Sequence, residues 1–124
     1  MLKDSFFTVK EIADIENGRI YRLVLNASHA IFQAHFAGNP VMPGACIVQI
    51  IKELSSDYFG KIFFTEAVKN MKFLHVINPL ESPEISALLT YTEQEDEHVL
   101  VSAILKNDHT IFSKSSLILK NIKD

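Results

Sequence analysis

One cysteine, Cys46, is all the thiol chemistry in the sequence, so neither an internal disulfide nor a multi-cysteine metal site is open to it. A lone thiol suits a reducing compartment, and the expected location is the cytoplasm. No apolar run approaches the ~20 residues of a membrane span. The opening MLKDSFF lacks an apolar stretch of signal-peptide length. Basic residues are also short: 12 Lys and Arg against 15 Asp and Glu leave a net charge of −3. Nucleic acid is therefore not the expected main partner, because neutralising phosphates demands a basic surface. There is no repeat, linker or low-complexity segment. HExxH, P-loop, dinucleotide and G-x-S-x-G patterns are missing, and no metal is expected.

What is present is an ordinary globular composition: 124 residues, 48% hydrophobic and 22% charged. That is enough for a single domain over 1–124 and too short for a second core. Residues 5–16 and 19–25 are rich in β-branched and aromatic types. Asn17-Gly18 stands between them, the pair that most readily takes the φ > 0 geometry of a two-residue hairpin. Residues 26–34 read as a short irregular or helical turn. The periodicity predicts a helix from Pro43 to about Phe59, with Ile47, Ile50, Ile51, Leu54 and Tyr58 on one stripe. Pro43 suits the first helical position and Gly60 the end. Ala45 to Val48 are apolar almost all round, so that end of the helix is expected to be buried.

Strand-like segments follow near 63–77, 84–93, 98–106 and 110–120. Ile85, Ala87, Leu89 and Tyr91 share one face of the second, with Leu88 out of pattern. Asn78-Pro79 and Ser82-Pro83 bracket one connection, and Asn107-Asp108 marks a tight turn. The fold class is α+β: about six antiparallel strands packed with one long helix.

Between the turn and the helix runs His35-Phe36-Ala37-Gly38-Asn39-Pro40-Val41-Met42-Pro43-Gly44, with two of the four glycines and two of the four prolines. Such a run must be a shaped loop. Histidine exchanges protons near neutral pH. A helix start offers unpaired N–H groups and the positive end of a dipole, which would polarise a carbonyl oxygen placed there and acidify the adjacent C–H. This ten-residue run, leading into an apolar helix, closely resembles the signature of the (3R)-hydroxyacyl-ACP dehydratases of bacterial fatty-acid synthesis.

The resemblance implies a hot-dog fold, in which the sheet wraps one long central helix. It implies His35 as catalytic base, Gly44 as N–H donor to the thioester oxygen, the Val41 carbonyl orienting the imidazole, and Phe36 lining the acyl channel. It also implies an obligate homodimer with the site at the subunit boundary. The partner it implies is an acyl carrier protein, whose phosphopantetheine arm carries the substrate so that no separate cofactor is needed. Carrier proteins of this kind are acidic, and Lys69 and Lys72 are candidates for a local basic rim.

The family's second catalytic residue is a Glu or Asp fourteen positions after the histidine; here that position is Gln49. An amide cannot supply a proton at neutral pH, though it can hydrogen-bond a hydroxyl or a water. Glu53, one turn on, is a conceivable substitute, but beside Lys52 it reads first as a solvated residue of a polar stripe with Gln49 and Ser56. His29 reads as a capping or surface residue. His75 reads as part of a strand, His98 and His109 as strand starts, and Cys46 as an inert packed thiol. The leading function is dehydration of a 3-hydroxyacyl thioester to the trans-2-enoyl thioester. Alternatives are an acyl-ACP thioesterase with water held by Gln49, or a non-catalytic acyl-ACP binding protein.

Overall fold

The computed structural model describes residues 1–34 and 40–122. Among these, six strands form one antiparallel sheet: β1 (Phe7–Ile15), β2 (Gly18–Leu25), β3 (Phe63–Phe73), β4 (Glu84–Glu93), β5 (His98–Lys106) and β6 (Ile111–Asn121). The helices are α1 (Ala30–Ala34) and α2 (Gly44–Phe59). The strand order is β1-β2-β4-β5-β6-β3, leaving β1 and β3 as edges. This is the expected α+β hot-dog arrangement, with the inner face of the sheet buried against α2.

Period-two patterning sets that face. Along β4, Ile85, Ala87, Leu89 and Tyr91 are buried and alternate with half-buried residues. Leu88 falls on the outer face, in register with Ile20 of β2 and Ile104 of β5, so its apolar character serves an outer cross-strand row. On the helix the stripe is Ile47, Ile50, Ile51 and Leu54, each at most 3% exposed. Polar contacts fix the C-terminal half of the helix. The Tyr21 hydroxyl donates to the Leu54 carbonyl at 3.2 Å, and the Tyr91 hydroxyl to Ser55 Oγ at 3.0 Å. Gly60 closes α2 in the left-handed region (φ 65), as expected, with its N–H on the Ser56 carbonyl.

Three local expectations are shifted. Ile15 pairs with Gly18, so the hairpin loop is Glu16-Asn17, and only Asn17 (φ 59) takes the left-handed turn. Gly18 instead opens β2, where it lies so close to β4 that a Cβ would stand 2.0 Å from the Leu89 carbonyl oxygen. Pro43 is the residue before the helix (ψ 149) rather than its first member. At the N-terminal end of α2, Cys46 and Ile47 are buried, but Ala45 is exposed and Val48 half-buried, because the sheet covers only one side of that turn.

The N-terminal segment adds a layer that the pattern did not suggest. Phe6 is fully buried, stacked on Phe32 of α1 at 4.5 Å, with His29 edge-on at 5.2 Å. His29 caps α1 as expected: its Nδ1 accepts the Ile31 N–H at 3.0 Å.

Gly18→Ala should lower the unfolding free energy by about 2 kcal/mol or more, since the obstacle is backbone and cannot rotate away. Urea denaturation of the two proteins checks this; an unchanged midpoint would contradict the packing described.

Candidate active site

The structure brings Val41 and Gly44 together in one groove. Its walls are the Val41–Gly44 stretch and Ile47 on one side and Phe73 to Ile77 on the other, enclosing about 380 Å³. The Met42 N–H donates to the Ile77 carbonyl at 2.8 Å and pins the two walls together. Pro43 supplies the first helical acceptor, its carbonyl taking the Cys46 and Ile47 N–H groups at 3.0 and 3.4 Å. Gly44 thus begins the helix, and its own N–H has no carbonyl within the helix to reach. The absence of a side chain matters here: a Cβ on Gly44 would lie 2.8 Å from the Phe73 ring. Glycine lets the aromatic wall sit directly against the helix start.

His35 and Phe36 lie outside the described residues. Gln49 lies five residues beyond Gly44 on α2, about 7.5 Å along the axis and about 140° round it. It does not line the groove. Its Nε2 donates to Glu53 Oε2 at 2.7 Å.

Glu53 corrects the sequence reading. It is 8% exposed, not solvated, and it grips the chain start: Oε2 accepts the Leu2 N–H at 2.7 Å and Oε1 the Lys3 N–H at 2.9 Å. Burial pushes its carboxyl up, but the Leu2 N–H, the Gln49 amide and the Lys3 N–H outweigh this and hold it below the usual carboxylate range. A carboxylate committed to three donors is a fastening, not a free acid, so Glu53 does not stand in for the missing carboxylate.

The remaining candidates fall as follows. Cys46 is buried, and burial pushes its thiol up, in keeping with an inert packed group. His75 is not in a strand. It follows β3 in a bend where the Leu74 and His75 N–H groups both donate to the Phe112 carbonyl, and it lines the groove. His98 opens β5 as expected and pairs with Glu66. His109 is not at a strand start but in the Asn107 turn, two residues before β6, its N–H donating to Asn107 Oδ1 at 2.9 Å. Lys69 and Lys72 are exposed on β3. Lys69 falls at a register shift, whereas Lys72 lies directly opposite Lys114 of β6. Among the described residues no group of three His, Cys, Asp or Glu side chains could hold a metal. No described helix is long and apolar enough to cross a membrane.

The groove's aromatic wall was not foreseen from the sequence, where His75 is read only as part of a strand. The one signal was Gly44 itself, whose missing side chain leaves room for a ring.

Residues 11–115 match the family model described as ApeI-like, ApeI dehydratase. The chain belongs to the ApeI-like dehydratase family. The ApeI-like match runs from within β1 to within β6 and so takes in both Gly44 and the amide at position 49. Curated relatives include the 3-hydroxyacyl-[acyl-carrier-protein] dehydratase FabZ of Latilactobacillus sakei, 36% identical over 77 residues, or 56% of this chain and 55% of the relative. FabZ of Caldicellulosiruptor saccharolyticus is 31% identical over 83 residues, 60% and 59% of the two chains. The alignments thus span little more than half the length of these relatives. Among solved structures, the dehydratase heterocomplex ApeI:P from Xenorhabdus doucetiae superposes with a TM-score of 0.70 at 17% identity, over 90% of this chain and 96% of that one. A putative thioesterase, yhdA from Lactococcus lactis, gives 0.66 at 9% identity over 97% and 94%. These two likenesses show the shared hot-dog fold.

The folded chain lowers the Glu53 pKa, so its stabilising share is complete above the unfolded value near ~4.3 and is lost as pH falls through the lower folded value. Glu53→Gln should cost about 2 kcal/mol at pH 7, the scale of hydrogen bonds to a charged group. The gap between wild type and variant should narrow below about pH 4.3. Denaturant titrations at several pH values test this; a gap that stays constant would contradict it.

Proposed function

We propose that the chain dehydrates 3-hydroxyacyl thioesters carried on an acyl carrier protein, giving the trans-2-enoyl thioester. The observation that carries this reading is the groove at Gly44. A helix start, with its N–H groups and positive dipole end, opens onto an apolar wall suited to an acyl chain. Membership of a dehydratase family supports the same reaction.

In this reading the thioester oxygen accepts the Gly44 N–H, which spreads the charge that develops when the C2 proton leaves. His35 takes that proton, the C2–H electron pair becomes the C2=C3 bond, and the C3 hydroxyl departs with the proton returned by the His35 imidazolium. Phe36 lines the acyl channel and the Val41 carbonyl orients the imidazole. Gln49 hydrogen-bonds the hydroxyl. No redox or metal step is needed, and the carrier's phosphopantetheine brings the thioester.

A second copy of the chain completes the site. In a single chain Gln49 is outside the groove, while the β3 edge carries the exposed apolar residues Val68, Phe73, Leu74 and Val76 on or just beyond it. An unpaired edge with such side chains invites pairing with another β3. The cross-strand pair Lys72 and Lys114 beside Phe73 supplies positive charge for an acidic carrier near the groove.

Two measurements test the reading. Light scattering should report a homodimer at micromolar concentration; a monomer would remove the shared site. His35→Ala should leave circular dichroism unchanged and cut formation of the enoyl thioester by about a hundred-fold or more. If free thiol appears in place of enoyl product, the chain is a thioesterase. If wild type binds the acylated carrier and releases neither, it is a binding protein.

A further inference from the structure

Gln49 and Glu53 share one face of α2, one turn apart. At neutral pH the Glu53 carboxylate has no proton to give and only accepts, so the Gln49 amide 2.7 Å away must turn its nitrogen toward it. An amide is planar, and fixing Nε2 on Glu53 fixes the carbonyl Oε1 on the side away from it. The carboxylate cannot swing to relax this, because turning it would strip the Leu2 and Lys3 N–H groups of their acceptor. The orientation of Gln49 is therefore set, through Glu53, by the N-terminal segment on the same face of the helix.

We propose that Glu53 is a positioning residue: it holds Gln49 with its carbonyl oxygen outward, so that Gln49 meets the substrate as a hydrogen-bond acceptor. An acceptor selects for a ligand that brings a proton of its own. It takes the O–H of a 3-hydroxyacyl group and leaves that oxygen's lone pairs free to accept a proton, whereas the enoyl product has no such hydrogen to offer. This rests on the dehydratase reading above and deepens it. Gln49 supplies no proton; it turns the leaving group so that the one proton His35 has taken can be delivered.

The pair also dictates how an acid can be installed at position 49. Gln49→Glu alone would set two carboxylates at the same short separation, where one must keep a proton and the two titrate as a unit. Exchanging both residues, Gln49→Glu with Glu53→Gln, keeps one amide-to-carboxylate bond and reverses its direction.

The test combines steady-state kinetics on a 3-hydroxyacyl-carrier substrate with the ¹H–¹⁵N signals of the Gln49 side-chain amide. Wild type, Glu53→Gln, Glu53→Asp and the double exchange are compared. In Glu53→Gln the amide signals should move and kcat fall about ten-fold with KM little changed, as expected when a group that orients the reacting centre is loosened. Glu53→Asp keeps the charge one methylene further back and should lie between the two, so the inference stays open to test even if Glu53→Gln folds poorly. The double exchange should exceed Glu53→Gln in kcat and acquire a new ionisation in its pH profile. Unmoved amide signals in Glu53→Gln and Glu53→Asp would overturn the inference. Moved signals with unchanged kcat would equally overturn it, since an orientation without effect on turnover positions nothing. If wild type itself forms no enoyl thioester, the dehydratase reading fails, and the amide signals alone still decide whether Glu53 sets the orientation of Gln49.

Discussion

Ile47, Ile50, Ile51 and Leu54 are almost wholly removed from water by the inner face of the sheet, and each such side chain contributes about 2 kcal/mol on burial. That stripe fixes the rotation of α2 about its axis, and the rotation decides everything else. It turns Gly44 toward Phe73, Tyr21 and Tyr91 toward the last turns, and the Gln49–Glu53 edge toward the chain start. A quarter-turn error would separate the helix start from the apolar wall and leave a carboxylate buried without donors. The groove is thus a by-product of core packing: Gly44 and Ile47 ride on the helix and Phe73 on the end of β3, while loop residues complete the walls.

Glu53 shows how a buried charge can be accommodated largely by hydrogen bonds, with the N-terminal ammonium adding a smaller attraction. Two backbone N–H groups and an amide replace the water it loses, which is what burial of an ionised group requires. The same three bonds join a terminal segment, a helix and a candidate site residue. Terminal segments fray unless tied down; here the tie is polar at Leu2 and Lys3 and apolar at Phe6 and Phe7, both nearly fully buried.

The strands and the central helix were legible because their signals are local: period two along β4, spacing of three and four along α2, and Gly60 at the helix end. The one-residue shifts at Asn17-Gly18 and Pro43 also have a local look but a tertiary cause. Gly18 is needed by β4 rather than by the turn, and Gly44 is needed by Phe73. Glu53 was misread because its neighbour Lys52 and the stripe with Gln49 and Ser56 describe a solvated face. The groups that bury it lie fifty residues earlier in the chain, where no periodicity reaches. His75 was assigned to a strand because apolar residues continue past Phe73 as Leu74, Val76 and Ile77, while the bend comes from two N–H groups sharing the Phe112 carbonyl. For the site, the loop pointed to Gly44 and Val41; the wall they face is a product of strand order and could not be read from either segment alone.

The position of β3 in that order has a consequence in time. β4, β5 and β6 are successive neighbours and can pair as soon as each follows the last. β3 precedes them in the chain, yet finds its place only beside β6, and the bend beyond it hangs on Phe112. Pairing across such a sequence separation is slow, because the loop must close before any contact rewards it. During synthesis the helix start at Gly44 is made before β6 and stays uncovered on that side until β6 has emerged. The groove accordingly takes shape only once β6 has paired with β3, and substitutions in β6 far from any reacting atom can delay it.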